Sequence, residues 1–156
     1  MSAPLALIED GPAADGRVVA LRGEIDVGST PSLREWLARA SEGGRRSLVV
    51  DLSNVDFMAV SGLYVLCDEQ ARMARHQARL TIVCASARML QLFEVCRLMD
   101  VLRIVPSRAS LDGQAWGDED EVRAERLGAW LERYSAGAGG GEASSAAPPP
   151  GPPAAS

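Results

Sequence analysis

The feature that most constrains the fold is an alternation of short apolar runs with longer segments of helical spacing. The runs Ser47–Leu52 (SLVVDL) and Leu80–Cys84 (LTIVC) show no regular apolar–polar alternation, which is typical of strands covered on both faces. Between them, Leu63, Leu66 and Cys67 follow the spacing of one buried helical stripe. Strands that alternate with helices in this way predict a parallel sheet with helices packed on it.

The remaining segments complete the order β-β-α-β-α-β-α-β. Leu5–Ile8 and Arg17–Leu21 are short strand candidates on either side of the turn-rich segment Asp10–Gly16, and together they indicate a hairpin. Val101–Val105 is a last strand, stopped by Pro106. We therefore predict an α/β fold with a mostly parallel sheet of roughly four to five strands and packed helices.

Capping signals indicate where the three helices begin. Ser29 or Thr30 caps the first helix, and Ser86 caps the third. The second helix begins at about Gly62, after a connection over Ser53–Val60. The charged outer face of this second helix comprises Asp68, Glu69, Arg72 and Arg75.

The chain divides into three zones, a sheet domain over residues 1–110, a charged helical extension over 111–135 and a tail over 136–156. In the extension, Leu127 and Trp130 belong to a loose apolar stripe. The extension either packs back on the sheet domain or serves as an amphipathic ligand for a partner, and we favour packing. The tail is Gly, Ala, Ser and Pro apart from Glu142, a composition typical of disorder.

Composition excludes several classes of function. The net charge is −5 and all sixteen basic residues are arginine, so there is no basic surplus for nucleic acid and no lysine for a P-loop. The three cysteines form no CxxC pair, which favours buried thiols in a reducing compartment. No apolar stretch approaches the roughly 18–20 residues that cross a bilayer. We expect a soluble, cytoplasmic protein without membrane insertion and without a cofactor.

Three stretches of the sequence resemble a STAS domain, the domain of anti-sigma factor antagonists. They are VVALRGEIDVGSTPSLREWL, SLVVDLSNVDFMAVSGLYVL and LTIVCASARMLQLFEVCRLMDVLRIV. The order and spacing match over about Val18–Val105, which is more specific than any single short motif. The resemblance implies the STAS fold and a protein that acts by binding other proteins.

In that family, a bacterial antagonist binds an anti-sigma factor, usually a GHKL-type serine kinase, and thereby releases the sigma factor. The kinase reverses this by phosphorylating a serine at the start of the helix after the third strand. The usual pattern there is Asp-Ser-Ser/Thr-Gly-Leu. The resemblance therefore places the partner-binding surface of this chain at the start of its second helix.

Laid on this sequence, the pattern falls on Ala59, Val60, Ser61, Gly62 and Leu63. Gly62 and Leu63 match the pattern, whereas Ala59 replaces the aspartate and Val60 replaces the serine that accepts phosphate. Ser61 matches the second hydroxyl position, and we expect it to act as a helix N-cap. Phosphorylation of Ser61 is the less favoured alternative, because successive helical residues point about 100° apart.

Acidic residues elsewhere have more than one interpretation. Glu24 and Asp26 match acidic positions of the family's partner-facing loop, so they either contact the partner or cap the first helix. Asp51 and Asp56 flank the loop before the second helix and suggest a metal or acidic site. We disfavour that site, because two carboxylates without a nearby histidine leave a metal under-coordinated, and Asp51 can instead bond loop amides.

Catalysis is not expected. A serine hydrolase needs a base for Ser61, and the only histidine is His76, late in the same helix; the elbow G-x-S-x-G is also missing. Two functions then remain. The first is an antagonist of a kinase-type anti-sigma factor without the usual phospho-switch, and the second is a STAS adaptor or structural subunit of a larger complex, such as a sensory scaffold or a lipid-transport ATPase. The sequence does not predict the oligomeric state.

Overall fold

The structure, a computed structural model, describes residues 3–13 and 16–135. In that part of the chain it contains five strands and four α-helices. The strands are β1 Ala6–Ala13, β2 Gly16–Ile25, β3 Leu48–Met58, β4 Leu80–Val83 and β5 Arg103–Val105. The helices are α1 Thr30–Ala40, α2 Val60–Ala74, α3 Ala87–Val95 and α4 Asp118–Ser135, with short 3-10 turns at Val27–Ser29 and Arg108–Ser110.

The strands form one sheet in the order β1-β2-β3-β4-β5. β1 and β2 pair antiparallel, and each later strand pairs parallel to the one before it. The predicted hairpin and the predicted mostly parallel α/β sheet with packed helices are therefore confirmed. Because β2 to β5 are parallel, their carboxyl ends lie at one edge of the sheet, where β2 and β3 lead into α1 and α2.

The first two strands are longer than the sequence predicts. Asp10–Gly16 is wrong as a turn, because Asp10–Ala13 continue β1 and Gly16 begins β2. The reason is cross-strand pairing that local composition does not reveal: Asp10 lies opposite Val19, and its carboxylate forms an ion pair with Arg17.

β3 is also longer than predicted, and Ser53–Val60 is wrong as a connection. The strand continues to Met58 because β2 extends beside it as far as Ile25 and supplies main-chain partners. The register shifts between Ala20 and Arg22 and again between Gly23 and Glu24. Each shift places an extra residue in β3, and such bulges bend a strand.

All four helices contribute to one hydrophobic core on the sheet. Its buried members include Leu33 and Leu37 of α1, Leu63 and Leu66 of α2, Phe93 of α3, and Leu127 and Trp130 of α4. The cysteines Cys67, Cys84 and Cys96 are free thiols in the buried interior, as predicted. A second cluster of Val18, Val49 and Val83 is covered by Val105 and Leu111, so the segment after β5 crosses the other face of the sheet.

The outer face predicted for α2 is wrong at Glu69, which is only 1% exposed. Its carboxylate accepts a 2.6 Å hydrogen bond from the Ser41 hydroxyl and pairs with Arg72. Helical spacing alone put Glu69 beside Asp68 on the solvent side. The residue at the end of α1, Ser41, covers this position, and helical spacing within α2 cannot predict such a tertiary contact.

The extension packs back on the domain, as the sequence predicts. The Trp130 indole donates a 2.8 Å hydrogen bond to the Cys96 carbonyl, and its ring lies between Tyr64 of α2 and Tyr134 of α4, with ring centroids 5.4 Å and 5.1 Å away. Residues 136–156, predicted to be disordered, lie outside the described residues. None of the described helices is both long and apolar enough to span a membrane.

Candidate functional site

The predicted partner-facing residues come together at the carboxyl edge of β2 and β3. Glu24 lies opposite Phe57 in the register of these strands. The backbone N–H of Ala59 then donates a 2.7 Å hydrogen bond to the carbonyl of Ile25. The acidic end of β2 and the start of α2 are therefore neighbours, although about thirty-five residues separate them along the chain.

Asp26 caps the 3-10 turn Val27–Ser29 that precedes α1. Its carboxylate accepts a 2.9 Å hydrogen bond from the Ser29 backbone, and the Ser29 hydroxyl accepts a 2.9 Å bond from the Asp26 backbone. This reciprocal pair is a capping box. Ser29 stands at the start of α1 but gives that helix no side-chain hydrogen bond, because its hydroxyl is engaged with Asp26. Asp26 is exposed, and Glu24 is half-buried.

The expectation that Ser61 caps α2 is wrong. The N-cap is Ala59, which has an extended backbone and no side-chain oxygen, and Ser61 lies inside the first turn. The cause is the bond from Ala59 to Ile25, which holds Ala59 in line with β3 so that the helix begins at Val60. The Ser61 hydroxyl is buried and has no hydrogen-bond partner among the described residues.

Gly62 and Leu63 lie beneath this surface rather than on it. Leu63 is buried in the core. A β-carbon at position 62 would lie 2.7 Å from Ile25 Cγ2 and 2.9 Å from Met58 Cγ, so the first turn of α2 lies directly on β2 and β3. The accessible part of the candidate surface consists of Glu24, Asp26, Ala59, Val60 and part of Ser61.

Asp51, considered for an acidic or metal site, takes part in a structural ion-pair network. One carboxylate oxygen accepts a 2.9 Å bond from the Ser53 backbone, and the other accepts a 2.7 Å bond from Arg108. Arg108 also pairs with Glu9 of β1 at 2.8 Å. Burial raises the pKa of Asp51, but the bonds from Ser53 and Arg108 outweigh burial and lower it below its usual value. Asp51 therefore ties the sheet to the segment after β5.

The geometry offers Ser61 no catalytic base within its helix. His76 lies two residues beyond the end of α2 and is exposed, and the helix from Ser61 to Ala74 alone spans roughly 20 Å. The described residues contain no group of three or more His, Cys, Asp or Glu side chains placed to hold a metal ion.

The sequence does not reveal that Phe57 belongs to the surface beside the site. Phe57 of β3 is 46% exposed and lines an apolar groove with Leu92 and Val95 of α3. The interpretation of Ser53–Val60 as a loop concealed it. The only sequence signal is the triplet Asp56-Phe57-Met58, in which a large aromatic residue stands directly before the candidate surface.

The fold and the site together define a small α/β domain whose candidate surface lies at the carboxyl edge of a mostly parallel sheet. The sequence model of the STAS domain family matches residues 8–111. The chain therefore belongs to the STAS domain family, as its sequence resemblance implies.

Named relatives agree with this assignment. The chain is 31% identical over 86 residues to an anti-sigma-B factor antagonist of Staphylococcus aureus, covering 55% of this chain and 80% of that protein. It is 29% identical over 86 residues to the anti-sigma-B factor antagonist of Staphylococcus epidermidis, with the same coverage. A crystal structure of an anti-sigma factor antagonist from Mycobacterium paratuberculosis has a TM-score of 0.57 and 22% identity, covering 69% of this chain and 92% of that one, which supports the fold.

Proposed function

We propose that this chain is an antagonist of an anti-sigma factor of the GHKL serine-kinase type. The observation that carries the proposal is the 31% identity to an anti-sigma-B factor antagonist within a STAS domain match over residues 8–111. The binding surface is the edge formed by Glu24, Asp26, Ala59, Val60 and Ser61, and Gly62 and Leu63 support it from beneath. Glu24 and Asp26 have no ion-pair partner among the described residues, so both carboxylates are available to basic side chains of the partner.

We also propose that this antagonist lacks the usual serine phospho-switch. Val60 occupies the first position of α2 and has no hydroxyl. A phosphate there would gain from the helix dipole and the free backbone N–H groups of the first turn. The next residue, Ser61, has a buried hydroxyl oxygen, so a kinase would need to move the helix start before phosphate transfer. Control of binding then comes from another input, such as the amount of the antagonist.

Binding and sigma release test the first part. GHKL-type anti-sigma factors from the source bacterium are purified as complexes with their sigma factors and mixed with the full chain. We expect one of them to bind the chain and to release its sigma factor, read by gel filtration and isothermal titration calorimetry. Asp26→Arg is expected to weaken this binding at least about tenfold, because charge reversal at an interface is repulsive. If none of these anti-sigma factors binds the chain, the proposal is wrong.

Phosphate transfer tests the second part. The same kinase is incubated with ATP and the unaltered chain, and intact-mass spectrometry is expected to show no added phosphate. The double substitution Ala59→Asp with Val60→Ser rebuilds the family pattern, and we expect the new serine to accept phosphate. Ala59→Asp with Val60→Ala is the matched control without a hydroxyl. Stoichiometric phosphate on Ser61 of the unaltered chain would contradict the proposal.

A further inference from the structure

An apolar groove lies beside the candidate surface, between the end of β3 and α3. Its volume is about 300 Å³. Phe57 and Met58 form the strand wall, and Leu92 and Val95 form the helix wall. Phe57 is 46% and Val95 is 39% exposed. Ala59 follows Met58 directly, so the groove is continuous with the surface through which we propose that the partner binds.

The groove exists because β4 is shorter than β3. β4 ends at Val83, opposite Asp51, whereas β3 continues to Met58. Beyond Asp51, β3 therefore has no β4 residue beside it, and α3 stands across from this free edge. The register shift between Gly23 and Glu24 adds one residue to β3 at Asp56, so Asp56 and Phe57 are both exposed.

The same features decide what can occupy the groove. An extended segment would need a flat strand edge for its main-chain hydrogen bonds. Bulges and exposed charges are features with which edge strands prevent such pairing, and β3 has a bulge and Asp56 here. An amphipathic helix needs no main-chain partners, because it binds a groove through apolar side chains spaced three and four residues apart.

Two residues that line the groove carry opposite charges. Asp56 lies on the strand side and Arg88 on the helix side, and neither has an ion-pair partner among the described residues. Arg88, Leu92 and Val95 lie four and three residues apart along α3, so the arginine borders the apolar stripe. A bound helix would place a basic side chain toward Asp56 and an acidic one toward Arg88.

We propose that this groove binds an amphipathic helix of the anti-sigma factor, whose apolar stripe is flanked by a basic residue on one side and an acidic residue on the other. The proposal rests on the proposed function, because the partner is the anti-sigma factor that binds the α2 surface. It adds a second contact, based on Phe57, Leu92 and Val95, to that interface.

Calorimetry with the purified anti-sigma factor that binds the unaltered chain tests the groove. Phe57→Ser and Val95→Arg are each expected to weaken binding at least about tenfold, because the first removes a large aromatic anchor and the second places a charge in an apolar groove. Arg88→Glu is expected to weaken it about threefold to tenfold. The matched control is Val122→Arg on α4, which changes a 44% exposed valine outside the groove. Circular dichroism and urea unfolding verify that each variant is folded.

The outcomes separate the two proposals. If Phe57→Ser and Val95→Arg leave binding unchanged, or if Val122→Arg weakens binding equally, the groove is not a binding site for the partner. The proposed function is then unaffected. If no anti-sigma factor binds the unaltered chain, both proposals are wrong. A photo-crosslinker at position 95 is expected to label a helical segment of the partner; labelling of an extended segment overturns the assignment. A small molecule retained in the native mass spectrum and lost in Val95→Arg also overturns it.

Discussion

Replacing Gly62 by alanine tests whether the start of α2 lies directly on the sheet. The added methyl group would lie 2.7 Å from Ile25 Cγ2 and 2.9 Å from Met58 Cγ. Both neighbours are buried, so neither can turn into solvent to make room. Ile25 is also β-branched and has little rotamer freedom. The helix or the end of β2 must therefore shift.

The magnitude follows from two opposing terms. Overpacking a well-filled core by one methyl group costs about 1–3 kcal/mol. Alanine in place of glycine in a helix gains about 0.5–1 kcal/mol from backbone entropy. The expected net result for Gly62→Ala is a destabilisation of about 1–2 kcal/mol. The control Gly128→Ala lies in α4, where nothing stands within 4 Å of the new β-carbon, so we expect it to stabilise the chain by about 0.5–1 kcal/mol.

Urea unfolding measured by circular dichroism gives both values from the shift of the midpoint at a constant m-value. For a chain of this size, each kcal/mol changes Tm by roughly 3–4 °C, so thermal unfolding is an independent check. We expect glycine-to-alanine substitution to lower the free energy of unfolding at position 62 and to raise it at position 128. If Gly62→Ala stabilises the chain as Gly128→Ala does, the close packing of the first turn on Ile25 is wrong.

Two further predictions concern ion pairs that attach the later segments. Arg79 donates a 2.9 Å hydrogen bond to the buried carboxylate of Asp120, which also accepts the Gly117 N–H and lies 3.6 Å from Arg123. Arg79→Met is expected to cost about 1–3 kcal/mol, because it leaves the buried carboxylate with fewer partners, and to speed amide exchange in α4. Arg79→Met with Asp120→Leu should recover part of this loss, because it removes the buried charge but also the bond to Gly117. Arg108→Met removes the cation that helps to lower the pKa of Asp51. Stability from a lowered pKa is present above the unfolded-state value and is lost as pH falls, so the variant should be less stable at pH 7 and the difference should shrink toward pH 2. If the urea midpoints of the variant and the unaltered chain differ by the same amount at pH 7 and at pH 2, this explanation is wrong.

Much of the candidate site follows from the sequence. The sequence pattern predicts the helix after β3, the motif Ala59–Leu63 and the acidic residues Glu24 and Asp26. The parallel pairing of β2 with β3 then brings these residues together. The role of Ser61 is different. A hydroxyl near a helix start predicts a cap, but the hydrogen bond from Ala59 to the Ile25 carbonyl sets where the helix begins, and that bond joins residues far apart in sequence.

The sequence by itself determined the order of the elements and the mostly parallel sheet, and it favoured the packing of α4 on the domain over a role as a partner ligand. These depend on apolar periodicity and on turn and cap residues, and both act between near neighbours along the chain. Only the tertiary structure decided where β3 ends, that Glu69 is buried beneath Ser41, and that Phe57 lines a groove with α3. Each of these depends on the length of a neighbouring element, because a strand continues only while another strand pairs with it, and a side chain is buried only where another element covers it.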